Sequence, residues 1–380
     1  MYYITIIRLG GNMNSKYIVS IVFTAMILLF SISSSAVLIN HNMIQNQIQN
    51  FSKSVQQHVI ENEFTTSDFL FDIYDIEFSD NAFHGPKGLY SYEWWYFDAT
   101  LDNGYSVQVS IRCLSVLYRT IFFVGLNLYR DGTALVNNQK IFVNEEITVS
   151  LVEPLIQIDG KEIFKGYIEE ETQDWIFLLN IEMDGIEIDF TFIGETQGWK
   201  GFVPGIGWWG VVLPRAHVKG TLSIYGVELD VIGTGYHDHN WHITAIAGVN
   251  YGWYWGKINS ESYSITWADV KMTRFSETPF LVINKKDEGY ISIPLDNINI
   301  VQSDMRFDNG KFIPESFDIR ADYENISLHV HMQVFDTHHF RRLGIINYWR
   351  YHINCTGYIS IDGVIEKIDE FNMAELLRFR

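Results

Sequence analysis

The segment GTGYHDHNWH, residues 233–242, gathers histidines, an aspartate and a tryptophan within ten positions. The apolar run before it ends like a β-strand, and alternate residues of an extended chain share a face. His237, His239 and Trp241 therefore point to one side of this strand, and Asp238 points to the other. These groups suit acid–base chemistry or metal binding, and a polar turn at the end of a sheet is the structural alternative.

A second strand-like segment, YSITWADV, places Trp267 and Asp269 on one face. A lone carboxyl two residues from a tryptophan on an apolar face is costly to bury as an anion. Burial raises the pKa of such a group and makes it a proton donor near neutral pH. The pattern therefore favours Asp269 as a general acid.

Two further segments, EWWYFD and WYWG, also set tryptophans beside titratable groups. Such aromatic faces with a few polar groups are typical of small-molecule sites. We predict a substrate-binding set drawn from these segments and from HDHNW: Glu93, Trp95, His237, Asp238, Trp253 and Trp255. For each residue taken alone, the alternative is a hydrogen-bonded histidine at a barrel mouth or a tryptophan in the core.

A metal reading of HDH would add His242 or Asp238 as a third ligand. No other part of the chain shows metal-ligand spacing, and the two cysteines, Cys113 and Cys355, are too few for a thiolate zinc site. These cysteines could pair in an exported protein, but most lone cysteines are small core residues. Motifs for nucleotide binding or a nucleophilic serine are absent from the sequence. We therefore predict no metal and no cofactor.

Composition narrows the partners of this 380-residue chain. Hydrophobic residues make up 47% of the sequence, which excludes general disorder, and aromatic residues make up 15%, which favours strands and an apolar pocket. The formal net charge of -19 excludes the basic footprint that nucleic acid requires. The expected partner is an apolar small molecule or a lipid.

After residue 80, short runs of alternating polarity are separated by Asp-Asn-Gly and Asp-Gly turns, for example at 102–104, 131–132 and 184–185. Such turns between apolar runs predict β-hairpins. Strands every eight to twelve residues indicate an antiparallel meander in a barrel or sandwich, and a parallel α/β sheet is excluded. About 300 residues exceed one small barrel, so we predict an all-β chain with two barrels in tandem.

The N-terminal residues 1–39 contain 23 consecutive uncharged positions, Tyr17–Ile39. The charged residues before this stretch, Arg8 and Lys16, are both basic. This pattern predicts a membrane anchor or a signal peptide, and either one exports the body of the protein. Translation is predicted to start at Met13. Residues 40–80 are predicted to form a stalk with one helix, 45–63. We therefore expect an extracytoplasmic protein with membrane contact through the N-terminal segment.

EWWYFDATL, then GTGYHDHNW about 140 residues later, then WYWGKI and YSITWADV, resemble the hydroxyneurosporene synthase family. That family comprises the carotenoid 1,2-hydratases, together with AttH-like proteins and related fungal pericyclases. The resemblance extends from about His84 to the C-terminus. It implies two tandem antiparallel lipocalin-like (calycin) β-barrels, at 81–243 and 244–380, with a site near their junction that faces an isoprenoid chain.

The resemblance also implies a reaction and its residues. In hydratases of this kind an acid protonates a terminal alkene, aromatic faces stabilise the cation, and water attacks it. The matching positions are Asp269 as proton donor, Trp241 and Trp267 as cation stabilisers, and His239 as the group that orients water or the acid. Two positions depart from the family pattern, which usually has glycine at position 242 and often tyrosine at position 267.

The leading prediction is thus an exported hydratase that acts on an isoprenoid or other apolar chain. A non-catalytic carrier of a hydrophobic ligand is the first alternative, in which HDHNW and Asp269 only close a barrel. A pericyclase-like cyclisation enzyme is the second, and it would depend on pocket shape more than on a proton donor.

Overall fold

The structure, a computed structural model, describes residues 72–87, 90–116, 119–143, 146–203, 207–243, 252–271, 278–286, 288–342 and 346–378. The predictions about the apolar N-terminal segment, the start at Met13 and the helix at 45–63 lie outside these residues. Within them, no helix has the length and hydropathy needed to cross a membrane.

Sheet 1 is antiparallel and contains thirteen of the described strands. Its main path runs β5-β4-β3-β2-β13-β12-β10-β9-β8-β7-β6, and β11 joins β1 to β12. Its strands are β1 (Asp72–Asp75), β2 (Tyr90–Leu101), β3 (Tyr105–Val116), β4 (Arg119–Arg130), β5 (Thr133–Val143), β6 (Ile147–Val149), β7 (Leu155–Ile158), β8 (Lys161–Ile168), β9 (Trp175–Met183), β10 (Ile186–Gly194), β11 (Trp199–Val203), β12 (Gly207–Ile224) and β13 (Val227–Ile243). A 3-10 helix, Phe78–Asn81, lies between β1 and β2.

Sheet 2 is antiparallel, contains nine of the described strands and follows the order β17-β16-β15-β14-β24-β23-β22-β21-β18. A separate two-stranded hairpin, β19–β20, interrupts it, and a second 3-10 helix spans Leu295–Asn297. The strands are β14 (Gly252–Asn259), β15 (Tyr263–Lys271), β16 (Thr278–Lys285), β17 (Tyr290–Ser292), β18 (Ile298–Ser303), β19 (Arg306–Asp308), β20 (Lys311–Ile313), β21 (Ser316–Tyr323), β22 (Ile326–Arg342), β23 (Ile346–Ile361) and β24 (Val364–Arg378).

The Asp-Gly pairs form the predicted hairpin turns. Asp131 and Gly132 join β4 to β5 with φ values of 49° and 85°, and Asp184 and Gly185 join β9 to β10 with 51° and 82°. Two consecutive residues with positive φ match the right-handed twist of the flanking strands, and aspartate and glycine tolerate this conformation best. The turn chemistry therefore sets the meander that the sequence predicts.

Each sheet encloses its own apolar core, and a third aromatic layer lies between the sheets. These features confirm the prediction of an all-β chain with two antiparallel sheets in tandem. Sheet 1 ends at Ile243 and sheet 2 begins at Gly252. The domain boundary at 243/244 itself stays a prediction.

The layer between the sheets combines rings with a buried ion pair. Tyr96 and Tyr236 from sheet 1 pack against Trp255 from sheet 2. Beside them, the ammonium of Lys257 on β14 donates to the carboxylate of Asp98 on β2, and both side chains are buried. Loss of either partner would leave a buried charge, so the two sheets depend on each other for stability.

The two cysteines lie in different cores, Cys113 on β3 and Cys355 on β23. Both are free buried thiols, and burial raises the pKa of each. They act as small apolar core residues here, which was one of the two predicted alternatives.

Candidate functional site

The interior of sheet 1 holds a row of polar side chains among aromatic rings. Glu93 and Trp95 on β2 and His239 and Trp241 on β13 all point inward and are buried. His239 lies directly opposite Trp95 in the antiparallel register. The alternation within each strand therefore brings these four predicted residues to one side of one sheet.

The 3-10 helix Phe78–Asn81 fixes the orientation of these rings. The Nδ1 of His239 donates to the carbonyl oxygen of Asp80 at 2.9 Å, and the Nε1 of Trp95 donates to the carbonyl oxygen of Asn81 at 3.1 Å. Because its Nδ1 carries the hydrogen, a neutral His239 presents an unprotonated Nε2 on its other side.

Glu93 and His239 form a buried pair that shares a proton. The Nε2 of His239 lies 2.9 Å from the Oε1 of Glu93, which also accepts the backbone N–H of His84 at 2.9 Å. A carboxylate and an unprotonated ring nitrogen are both acceptors, so a contact of this length requires one additional proton. The Oε2 of Glu93 is buried without a hydrogen-bond partner among the described residues.

Burial determines which partner holds this proton. Desolvation raises the pKa of Glu93 and lowers the pKa of His239 to about 3. Each shift disfavours the charged form of its group, because neither is solvated. Both shifts favour the neutral pair, in which the Glu93 carboxyl carries the proton and donates it to His239.

Aromatic faces enclose the pair. The ring of Trp95 stacks on His239 with centroids 4.4 Å apart, and Trp241 stacks on His84 at 4.4 Å. Trp208 extends this second stack, 5.8 Å from Trp241. Indole faces are the best aromatic partners for a cation, so this enclosure favours a positively charged intermediate next to a proton donor.

The other two residues of HDH have different surroundings. His237 donates from Nδ1 to the carbonyl oxygen of Tyr96 at 2.8 Å, and its Nε2 lies 2.8 Å from the Nδ2 of Asn81. With both ring nitrogens paired and its pKa lowered by burial, His237 supports the core. Asp238 points toward sheet 2 and lies in the layer between the sheets. There its carboxyl group accepts a hydrogen bond from the hydroxyl of Tyr236 on the same strand at 3.0 Å, and burial raises the pKa of Asp238.

Trp267 and Asp269 lie inside sheet 2. Trp267 packs on Phe317 and against Gly256, where a Cβ would lie only 2.8 Å from the indole nitrogen. Asp269 accepts from the Nε2 of Gln302 at 3.0 Å and from the backbone N–H of Thr278 at 3.2 Å. The interior of sheet 2 therefore holds this predicted pair.

The structure does not bring Asp269 and His239 together. Their side chains point into different sheets, away from the layer in which Tyr236 of β13 and Ala268 of β15 pack. Trp253 and Trp255 point into that same layer, where Trp253 donates to Glu375 at 2.9 Å. The predicted site residues are thus divided among two sheet interiors and the layer between them.

Comparison with known proteins shows which proteins this chain and its fold resemble. No family model matches the chain. The chain is similar to a hydroxyneurosporene dehydrogenase of Chlorobaculum tepidum, with 24% identity over 67% of this chain and 77% of that protein. A candidate AttH from Nitrosomonas europaea superposes with a TM-score of 0.59 at 14% identity, covering 80% of this chain and 96% of that one. This chain has the AttH-like fold. Kievitone hydratase from Nectria haematococca has a TM-score of 0.50 at 15% identity, with 80% and 93% of the chains covered.

These similarities confirm the predicted resemblance to AttH-like and hydroxyneurosporene-related proteins. One departure from that pattern now has a structural context. His242, where the family usually has glycine, adopts a φ of +54°, in the left-handed region that glycine prefers. In this chain a histidine therefore occupies a backbone conformation that glycine would adopt without strain.

Sequence reasoning missed His84, Asp80 and Asn81 of this AttH-like chain. They lie before β2 in irregular or 3-10 structure, where no strand alternation marks them. Within the described residues, the histidine, cysteine and acidic side chains close enough to hold a metal are His84, Glu93 and His239, whose ligand atoms lie within 4.8 Å of one another. The 2.9 Å contact between the last two has the length of a hydrogen bond.

Proposed function

We propose that this protein is an enzyme related to hydratases, and that it adds water to a carbon–carbon double bond of an apolar, isoprenoid-like molecule. Glu93 is the proton donor in this proposal, rather than Asp269. The observation that carries it is the Glu93–His239 pair, whose Oε1 and Nε2 atoms lie 2.9 Å apart within an aromatic enclosure. Hydration of an alkene needs an acid of this kind, because the alkene itself is a weak base.

The reaction would begin at the Glu93 carboxyl. The double bond takes the proton from Glu93, a C–H bond forms, and the adjacent tertiary carbon becomes a cation. The electron-rich indoles of Trp95 and Trp241, which border the pair, stabilise this cation. Water attacks the cation and forms the C–O bond, and the oxonium then returns its proton to Glu93. His239 orients Glu93 through its hydrogen bond and is itself held by the carbonyl of Asp80.

The similarity to kievitone hydratase, a protein named for water addition, supports this assignment. A carrier of hydrophobic ligands would require only apolar surface. A buried carboxyl group with one unpartnered oxygen destabilises the fold, and the binding of an apolar ligand does not require such a group. The enzyme is therefore preferred over the carrier.

The experiment begins with the apolar molecules that co-purify with the full chain, identified by mass spectrometry. These molecules and a panel of isoprenoids are then incubated with the protein in ¹⁸O-labelled water. We expect ¹⁸O in an alcohol product, and Glu93→Gln should lower its rate of formation about 100-fold or more. Asp269→Asn is the matched control, a buried carboxyl in the other sheet, and should stay within a few-fold of wild type.

Two results would contradict the proposal. Binding of isoprenoids without ¹⁸O incorporation would favour the carrier. Loss of turnover in Asp269→Asn with full activity in Glu93→Gln would restore the assignment made from sequence. Circular dichroism and thermal unfolding of each variant separate chemical from folding defects.

A further inference from the structure

The hairpin β19–β20 has one face attached to the protein and one face exposed. On the attached face, Ile313 is buried in the core of sheet 2, and Asp308 accepts from the indole nitrogen of Trp349 at 2.7 Å. On the other face Phe307 and Phe312 are 66% and 65% exposed. Strand alternation keeps these two faces distinct.

The exposed face is aromatic and is held in shape. Phe307 and Phe312 lie opposite each other in the hairpin register, with ring centroids 5.3 Å apart, and Met305 adds a third exposed apolar side chain. Arg306 beside them is fixed by Glu315 at 2.9 Å. Leaving two paired phenylalanines in water is unfavourable, so this face suits a partner that is itself apolar.

The hairpin lies at the end of sheet 2 that is next to the candidate site. Trp349, which holds the hairpin, is near the start of β23, and β14 begins at this same end of sheet 2. Tyr96 and Asp98 of β2 contact Trp255 and Lys257 of β14 in the same order along the two strands, so the end of β2 that carries Glu93 lies beside the start of β14. The two sheets therefore present the hairpin and the Glu93 site on one side.

A second group of exposed rings lies at that end of sheet 1. Tyr74 on β1 and Phe202 on β11 are both exposed and contact Trp208, with centroids 6.1 and 5.0 Å from it. The chain enters the described structure here, at Asp72, after the uncharged stretch Tyr17–Ile39. Aromatic side chains at the boundary of an apolar phase are typical of membrane interfaces.

We propose that this end of the protein docks on a lipid bilayer, with Met305, Phe307 and Phe312 inserted among the acyl chains. This deepens the proposed function, on which it rests: the substrate is then a lipid-soluble molecule that passes from the bilayer to Glu93 without crossing water. The uncharged N-terminal stretch favours a bilayer over a second copy of the chain, because a stretch of this length and composition is predicted to enter a membrane.

The test places an environment-sensitive fluorophore on the full chain in phosphatidylcholine–phosphatidylglycerol vesicles. Phe312→Cys carries the label, and Val227→Cys is the control, since Val227 is 62% exposed at the opposite end of β13. The native Cys113 and Cys355 are buried and do not compete for the label. We expect a blue shift and quenching by brominated lipid chains at position 312 but not at 227.

Equal responses at both positions would overturn the proposal. A blue shift at 312 that grows with protein concentration without lipid would assign the face to a second copy instead. In the activity assay, Phe307→Ser/Phe312→Ser should slow turnover of bilayer-held substrate about tenfold and leave detergent-dispersed substrate unaffected. Insertion of the label without turnover of any substrate would refute the proposed function and retain the docking surface.

Discussion

The two sheet interiors each bury a carboxyl group among aromatic rings, but the groups have different neighbours. Glu93 in sheet 1 accepts the backbone N–H of His84 and also faces the Nε2 of His239, a ring nitrogen that accepts a hydrogen. Asp269 in sheet 2 is surrounded by donors: an amide side chain, a backbone N–H and, at 3.8 Å, the ammonium of Lys271. An acceptor as neighbour obliges a carboxyl to keep its proton, whereas donors and a cation suit a carboxylate.

Burial alone therefore does not identify a general acid. Both carboxyl groups are almost fully inaccessible to solvent. The partner of each group decides whether it stores a proton or neutralises a charge. The comparison predicts different roles for the two groups: Glu93 is important for turnover, and Asp269 is important for the stability of the fold.

The largest expected stability effect is that of Asp269→Asn. The substitution replaces the buried carboxylate 3.8 Å from the Lys271 ammonium with a neutral amide, so the free energy of unfolding should fall by about 3 kcal/mol. Glu93→Gln removes only one neutral hydrogen bond and should cost about 1 kcal/mol. Urea unfolding followed by tryptophan fluorescence measures both, and equal losses would show that the two sites do not differ as described.

A pH series sharpens the comparison through two buried histidines. Burial lowers the pKa of His352, on β23, to about 3, with added repulsion from His338 and Arg350. The unfolded chain takes up this proton below about pH 6.5 while the folded protein excludes it, so the free energy of unfolding falls as the pH decreases, by up to about 1.4 kcal/mol per pH unit.

His352→Phe should therefore flatten the dependence of stability on pH between about 6.5 and 3. His239→Phe should flatten it by a similar amount, because burial keeps the shared proton on Glu93 and the folded protein leaves the His239 ring nitrogen unprotonated in this range. Chemical unfolding across the pH range tests this, and a clearly smaller flattening in His239→Phe would mean that the histidine holds the shared proton.

The smallest effect concerns the backbone beside the site. His242→Gly relieves the positive φ of +54° and should raise the free energy of unfolding by about 1 kcal/mol or less, since glycine also gains freedom in the unfolded chain. His329→Gly, within β22, is the control and should lower it by a similar amount. A loss of stability in His242→Gly would mean that its ring contact with His84 outweighs the backbone strain.

Local patterns predicted most of the architecture. Asp-Gly turns gave the hairpins, and alternation placed His239 with Trp241 and Trp267 with Asp269 on shared faces. Both inferences depend on residues near one another in sequence. Alternation cannot tell which face of a strand turns inward once two sheets pack together, and the placement of Asp269 and His239 in one site followed from the family resemblance.

The role predicted for Glu93 from the sequence also differs from the one proposed from the structure. Glu93 was predicted to bind substrate, because its face within EWWYFD was evident, but its partner His239 is 146 residues away. His84 and Asp80, which hold the pair, lie in a segment without periodicity. Long-range pairing and irregular backbone are fixed by tertiary contacts, and these were available only from the structure.

The buried pair of Asp98 and Lys257 has a consequence for biosynthesis. Lys257 emerges from the ribosome 159 residues after Asp98, when every strand of sheet 1 has already been made. Until then the Asp98 carboxylate must stay hydrated, so the outer face of β2 remains wet while the interior of sheet 1 closes. The second half of the nascent chain thus supplies the cation that permits dehydration of the first when the two sheets dock.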